Sequence, residues 1–167
     1  MKILIIISTF FMSLNLTAQS NSCICCTENH KEFDFWVGSW VVTKPDGSLA
    51  GTNVIDKIQD NCILRENWMS AVGNFTGTSS NFYNTRTKQW EQIWLDNQGG
   101  ILHLKGNRIG NQMILQSDEQ NNSKGEPFVN RITWTLNDDG TVRQYWEIIT
   151  NGNEVTVAFD GLYKKSQ

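Results

Sequence analysis

The sequence predicts an all-β fold, an antiparallel up-and-down barrel of roughly ten strands. Two observations predict it. Runs that alternate polar and apolar residues recur at short intervals from Ser39 to Tyr163. Each run is followed by Gly, Asn or Asp, the residues that tight turns require. No amphipathic segment of helical length interrupts them, and closing the meander would remove both free strand edges.

The elements follow one another closely along the chain. Residues 32–40 carry aromatic side chains with a spacing that suits a short helical turn before the first strand. The longest break between strands, residues 118–127, is polar and contains glycine, so we expect a mobile loop at one mouth of the barrel. The predicted strands are 39–44, 50–58, 62–69, 75–83, 88–96, 100–106, 110–117, 128–136, 141–150 and 154–163.

The first 19 residues have the composition of a signal peptide. Lys2 supplies the charged start, and apolar runs at 3–12 and 14–18 supply the middle. These runs are too short to predict a membrane span. We therefore predict residues 1–19 as a signal peptide, 20–32 as a cysteine-containing segment and 33–167 as the barrel domain, exported to the periplasm or outside the cell.

Because an exported protein meets an oxidising environment, we expect disulfides among Cys23, Cys25, Cys26 and Cys62. Four cysteines allow three full pairings. We expect Cys26 to bond to Cys62. One alternative takes the first three cysteines with His30 as copper or zinc ligands, but their spacing matches no metal motif, so no metal is predicted. Another places a lipid on Cys23, although the residues before it lack the aliphatic position of a lipobox.

Composition excludes several classes of partner. The chain carries 14 Lys and Arg against 17 Asp and Glu, a formal net charge of −3, without a basic cluster. Nucleic acid and anionic membrane surfaces both need a concentrated cationic surface, so neither is an expected partner. The motifs of serine hydrolases, P-loop proteins and zinc proteases are absent from the sequence. A small molecule remains as the expected partner, and the oligomeric state stays open.

Three strands repeat one motif, a polar residue followed two positions later by tryptophan. Because strand side chains alternate with a period of two, both members of each pair lie on one face. We place that face inward, where it would line a pocket for a small ligand. The inward residues predicted to bind it are Trp68, Asn81, Tyr83, Gln92, Trp94, Asn130, Trp134, Gln144 and Trp146, together with Glu66.

Polar side chains in a barrel interior are stable only if they have hydrogen-bond partners. An unpaired buried amide costs roughly 1–3 kcal/mol, and an unpaired carboxylate costs more. These groups persist if a ligand or water reaches them, which favours an open pocket. They also persist if they satisfy one another around bulky side chains in a plugged barrel. The sequence leaves both interpretations open.

Glu66 is the candidate catalytic residue. Burial beside Trp68 would raise its pKa, which suits a general acid or base. A salt bridge to Arg131 or Arg143 would instead keep it ionised and structural. His103 is the best candidate for a second titratable group, but the alternation along its strand places it opposite two leucines, a face that can be the outer one.

Gly38-Ser39-Trp40, entering the first strand, resembles the G-x-W signature of the calycin superfamily, which includes lipocalins, fatty-acid-binding proteins and nitrobindin-like barrels. The resemblance implies that Trp40 closes the base of the barrel and stacks on a basic side chain from a late strand, Arg131 or Arg143. Nitrobindin-like barrels hold haem through a histidine. His30 and His103 both lie outside the corresponding late-strand region, so no cofactor is predicted.

A longer resemblance covers nearly the whole chain after residue 32. Residues 33–40, 62–68, 130–134 and 157–163 are similar to a family of exported bacterial domains of unknown function. The resemblance implies fold and export but no activity. We therefore expect an exported protein that binds a partly apolar, partly polar molecule. The alternatives are an isomerase, lyase or hydrolase that uses Glu66, and a plugged structural or interaction module.

Overall fold

The computed structural model describes residues 23–166 of the chain and shows an antiparallel barrel. The predicted signal peptide, residues 1–19, lies outside the described residues. The strands are β1 (Gly38–Thr43), β2 (Leu49–Ile58), β3 (Ile63–Ser70), β4 (Thr76–Asn84), β5 (Gln89–Asp96), β6 (Ile101–Ile109), β7 (Gln112–Gln116), β8 (Gln120–Asn121), β9 (Pro127–Leu136), β10 (Val142–Thr150) and β11 (Glu154–Lys165).

Ten of these strands close on themselves. Strands β1 to β7 pair in sequence order, β7 pairs with β9, and β9 pairs with β10. Strand β11 then joins β10 to β1 and completes the ring. The predicted all-β class, the up-and-down order and the number of strands in the barrel are confirmed.

The interruption predicted as a loop contains a small hairpin. Strand β8 pairs with the first two residues of β9, Pro127 and Phe128. The side chain of Asn122 organises the turn, because its Oδ1 accepts hydrogen bonds from the backbone N–H groups of Lys124 and Glu126 at 2.9 and 3.0 Å. Asx turns of this kind depend on a single side chain within a polar stretch.

The N-terminal segment plugs one end of the barrel, which we call the closed end. A four-residue helix, α1 (Glu28–Lys31), and a 3-10 turn (Asp34–Trp36) confirm the predicted helical turn. Phe33 and Trp36 are fully buried and stack with their ring centroids 5.1 Å apart. Both rings also contact Trp134, at 5.2 and 5.3 Å. This half of the interior is therefore filled by aromatic packing.

Trp40 is buried at the same end of the barrel, beside Trp36. Its Nε1 donates to the backbone oxygen of Trp36 at 2.8 Å. The Lys165 ammonium lies 3.9 Å from the Trp40 ring centroid and donates to the backbone oxygen of Val37. A Cβ at Gly38 would lie 2.2 Å from that ammonium nitrogen, so glycine leaves the space that lysine occupies.

The expectation that Arg131 or Arg143 stacks on Trp40 is wrong. Trp40 pairs in register with Lys165, near the end of β11, which brings the lysine to the indole. Both arginines instead form ion pairs on the outer face of the barrel. Arg131 lies 3.0 Å from Glu147, and Arg143 lies 2.7 Å from Asp160.

Two disulfides hold the N-terminal segment. Cys25 bonds to Cys62, and Cys23 bonds to Cys26. The predicted Cys26–Cys62 pairing is therefore wrong. Cys25 is buried against the barrel, whereas a turn in which the Cys26 N–H donates to the Cys23 carbonyl brings those two residues together.

The two disulfides argue against metal binding by the N-terminal cysteines and against a lipid on Cys23. A sulfur held in a disulfide is not free to bind a metal or to carry a lipid, so neither alternative fits the bonded state of Cys23. Two disulfides fit an oxidising, exported environment. Within residues 23–166, no helix has both the length and the apolar character needed to cross a membrane.

Candidate functional site

A cavity of about 340 Å³ occupies the half of the barrel opposite the plug. We call it the chamber. It extends toward the loops that follow β1, β3 and β5, where Lys44, Ser70 and Asp96 form part of its rim. Its walls carry the aromatic side chains of Trp68, Phe75, Trp94, Trp146 and Phe159, and its polar lining groups include Glu66, Gln92, Gln144 and Tyr163.

Glycines keep the chamber open by letting aromatic rings lie against its wall. A Cβ at Gly77 would lie 2.0 Å from the ring of Trp94. A Cβ at Gly51 would lie 2.8 Å from the ring of Trp68, and one at Gly161 would lie 2.6 Å from the ring of Phe159. Real Cβ atoms do not approach so closely. Any larger residue would push these rings into the chamber.

Glu66 is a buried carboxylate without a basic partner. Oε1 accepts a hydrogen bond from Asn53 Nδ2 at 2.7 Å, and Oε2 accepts one from Ser79 Oγ at 2.6 Å. Within the described part of the chain, no Lys, Arg or His forms an ion pair with it. Burial raises the pKa of Glu66 from 4.5 to about 7, although the bonds from Ser79 and Asn53 act to lower it.

The alternative that Glu66 forms a salt bridge to Arg131 or Arg143 is therefore wrong. Adjacent residues of a strand face opposite sides of the sheet. Arg131 follows the inward-facing Asn130, and both arginines are bonded to acids on the outer wall.

Hydrogen bonds extend from Glu66 to one side. Asn81 Nδ2 donates to Ser79 Oγ at 2.9 Å, and Gln92 Nε2 donates to Asn81 Oδ1 at 2.9 Å. All four of these side chains are buried. Ser79 and Asn81 thus connect Glu66 to Gln92 through hydrogen bonds and hold both side chains in position. Gln92, like Glu66, lines the chamber.

A second arm extends from Glu66 through Asn53. Tyr163 donates from its hydroxyl to Gln144 Oε1, and Asn53 Nδ2 lies 3.4 Å from the same hydroxyl oxygen. Burial and the negative charge of Glu66 raise the pKa of Tyr163 well above 10, so this phenol stays protonated. Among the described residues, Asn53 Oδ1 is buried without a hydrogen-bond partner.

Most residues of the predicted inward face do lie inside the barrel, but they divide between its two halves. The predicted residues that line the chamber are Glu66, Trp68, Gln92, Trp94, Gln144 and Trp146. Asn81 and Asn130 stand behind them, since Asn130 Oδ1 accepts a hydrogen bond from Trp146 Nε1 at 2.9 Å.

Two predicted ligand-binding residues lie at the closed end and do not line the chamber. Trp134 packs on Phe33, and Tyr83 packs near His30 with its hydroxyl accepting a bond from Asn29. They share the inward face with the chamber residues, but the N-terminal plug occupies their end of the interior. Their predicted place in the pocket is wrong.

His103 does not contact Glu66. It lies on the outer wall, with Nε2 2.9 Å from Glu91 Oε2. Burial acts to raise the pKa of Glu91, but hydrogen bonds from Asn84 and His103 outweigh it, and that pKa is lowered overall. The predicted pairing of His103 with Glu66 in one catalytic site is therefore wrong.

Sequence reasoning missed several residues of the site, among them Asn53, Ser79, Phe159 and Tyr163. Each had a signal in the same alternation. Asn53 shares the inward face of β2 with Ile55, and Phe159 shares that of β11 with Tyr163. These residues lie on strands that carry no tryptophan, so the polar-x-Trp motif does not point to them.

Comparisons with known proteins leave the chain without a family assignment, since no protein-family model matches it and no curated protein is found as a relative. In residues 23–166, no three His, Cys, Asp or Glu side chains come together as a metal-binding group.

Proposed function

We propose that this chain is an exported small-molecule-binding protein of the calycin type, which holds a partly apolar, partly polar ligand in the chamber. The observation that carries the proposal is the contrast between the two halves of one barrel. The closed end is packed solidly with aromatic rings, whereas the other half retains about 340 Å³ lined by three indoles and a hydrogen-bonded carboxylate. Small-molecule pockets span roughly 300–1,000 Å³.

The solvent exposure of the chamber tryptophans supports the same proposal. Trp68, Trp94 and Trp146 are only partly buried, although four other tryptophans in this barrel are fully buried. A ligand that stacks on the three rings would bury apolar surface that the protein leaves open. The polar groups beside them would then orient the ligand, the division of labour typical of binding pockets.

The plugged-module alternative receives less support. It requires tryptophans packed without a space larger than a water or two, and that description fits only the closed end. The cavity on the other side of the barrel is far larger than a single water, whose share of liquid volume is about 30 Å³.

Native mass spectrometry of the protein purified from its own host tests the proposal. We expect a co-purifying small molecule that dissociates on unfolding. Ala50→Phe should remove it, because Ala50 is buried and lines the chamber. Leu49→Phe is the matched control, since the neighbouring side chain is half exposed and points outward. A wild-type protein that carries no small molecule, and binds none from a broad compound library, would refute the proposal.

The enzyme alternative retains one supporting observation. A carboxyl with a pKa of about 7 beside a cavity can act as a general acid or base near neutral pH. This alternative predicts that Glu66→Gln keeps substrate binding while turnover falls by roughly 100-fold or more. A binding protein would instead show no turnover in either form.

A further inference from the structure

We propose that the ligand of the chamber is an organic amine, bound as its ammonium ion against Glu66 with its apolar body between the indole rings. This inference deepens the binding function proposed above and rests on it. The geometry that points to it is a buried carboxylate, bonded only to Asn53 and Ser79 and to no described basic side chain, in a chamber that six aromatic side chains help to line.

The charges of the chamber favour a cation. Two of its lining residues, Glu66 and Asp96, are acids, and one, Lys44, is a base. Lys44 is solvent-exposed in the loop after β1. Backbone hydrogen bonds from Gly100 and Gln98 lower the pKa of Asp96, so the rim acid stays ionised. A carboxylate ligand would meet no buried positive charge to offset its desolvation, whereas an ammonium group would meet a negative one.

Glu66 has capacity for an additional partner. Each of its oxygens accepts one hydrogen bond from the protein, from Asn53 or from Ser79. A carboxylate oxygen has two lone pairs, so each oxygen retains one acceptor site. An ammonium group has three N–H donors and no acceptor. Glu66, together with the Gln144 amide oxygen, supplies the acceptors that such a group requires.

The aromatic walls suit the same charge. Indole faces attract cations whose centres lie within about 6 Å of the ring centroid. The rings of Trp68, Trp94 and Trp146 line the space next to Glu66. Because cross-strand glycines let two of these rings lie against the wall, their faces remain available to a ligand. Indole rings that line the same chamber as a carboxylate favour a cation over a neutral molecule of the same shape.

The proposal has a defined pH dependence. The groups that face Glu66 are Asn53 from β2, Ser79 from β4 and Tyr163 from β11, and the phenol stays protonated. An ammonium ion needs Glu66 ionised, so binding at lower pH requires release of one proton from the carboxyl. Affinity should therefore fall about tenfold per pH unit below the pKa of Glu66, which is about 7.

The decisive variant is Glu66→Gln, and the site can accommodate it. Asn53 Oδ1 lacks a partner among the described residues, so an amide flip at Asn53 would let this oxygen accept from the side-chain N–H that the substitution introduces. Ser79 would keep donating to the remaining side-chain oxygen at position 66. The outer-wall substitution Glu91→Gln removes a carboxylate that faces His103 and does not line the chamber. It serves as the matched control for the loss of one negative charge.

The experiment compares three probes that differ only in the head group, namely phenylpropylamine, phenylpropanol and phenylpropionate. Calorimetry at pH about 8, above the pKa of Glu66, should show the amine binding at least about tenfold more tightly than the other two. Glu66→Gln should abolish that preference, and Glu91→Gln should keep it. The trimethylammonium analogue, whose charge does not titrate, should show the same loss of affinity toward acid pH.

Each contrary result has a distinct meaning. Alcohol or carboxylate binding as tight as amine binding, or amine affinity unchanged in Glu66→Gln, would overturn the amine proposal and leave the binding function intact. If all three probes fail but host-purified protein carries a small molecule, the amine proposal again fails alone. If the probes fail, no small molecule co-purifies and none from a broad compound library binds, both proposals fail.

Discussion

Glu66 is buried without a basic partner, and its ionisation should therefore make the protein less stable at neutral pH than at acid pH. Its pKa is about 7 in the folded protein and 4.5 as a model value, so the folded state binds this proton more tightly than the unfolded state. Below pH 4.5 the group is protonated in both states and contributes no pH dependence. As the pH rises from there to about 7, ionisation increasingly favours the unfolded state.

The magnitude follows from the same two pKa values. One pKa unit corresponds to about 1.4 kcal/mol, so ionised Glu66 costs the folded protein roughly 3 kcal/mol. Glutamine has nearly the same shape and no charge at any pH. The free energy of unfolding of wild type, relative to that of Glu66→Gln, should therefore fall by roughly 3 kcal/mol between pH about 4 and pH about 8.

Urea denaturation followed by tryptophan fluorescence measures this difference at each pH. The subtraction cancels the contributions of the other carboxylates, which are the same in both proteins. Glu91→Gln is a control of opposite sign, because the pKa of Glu91 is lowered and its stabilisation is present at neutral pH and lost in acid. A wild-type minus Glu66→Gln difference that stays constant from acid to neutral pH would refute the argument.

Two further predictions concern the plug and the chamber. Replacing Cys25 and Cys62 together by serine should lower the free energy of unfolding by about 4 kcal/mol in urea melts, because their bond spans 37 residues. The same change at Cys23 and Cys26, three residues apart, should cost less than half as much. Gly77→Ala should push the adjacent indole into the chamber and weaken probe binding at least about tenfold, a loss that calorimetry measures and unchanged affinity would contradict.

The features that the sequence predicted well are those that local patterns determine. Alternation along a strand decides which face a side chain occupies, and tight-turn residues decide where strands end. These signals predicted the antiparallel ten-stranded barrel that the structure shows. The same alternation places Glu66, Gln92 and Gln144 inside the barrel, where all three line the chamber.

The level of a residue along the barrel could not be predicted in the same way. Trp94 and Trp134 share the inward face, but only Trp94 lines the chamber. Trp134 is at the level where Phe33 and Trp36 enter, and that insertion is a tertiary contact between distant parts of the chain. Strand periodicity carries no information about which end the N-terminal segment covers.

The sequence also did not predict correctly which residues, far apart in the chain, contact each other. The choice between Cys25 and Cys26 depends on which of two adjacent sulfurs faces Cys62, and a turn of the N-terminal segment decides it. The cation on Trp40 comes from Lys165 because β11 extends far enough to pair with β1 at that level. Both outcomes depend on register between elements that are far apart in sequence.

A crystal structure of the protein purified from its own host shows what the chamber holds. It should show density for a small molecule between the rings of Trp68, Trp94 and Trp146, with a nitrogen atom within hydrogen-bond distance of Glu66. An interior in which those indoles have turned inward to fill the space, or in which the chamber holds only water, would contradict the account.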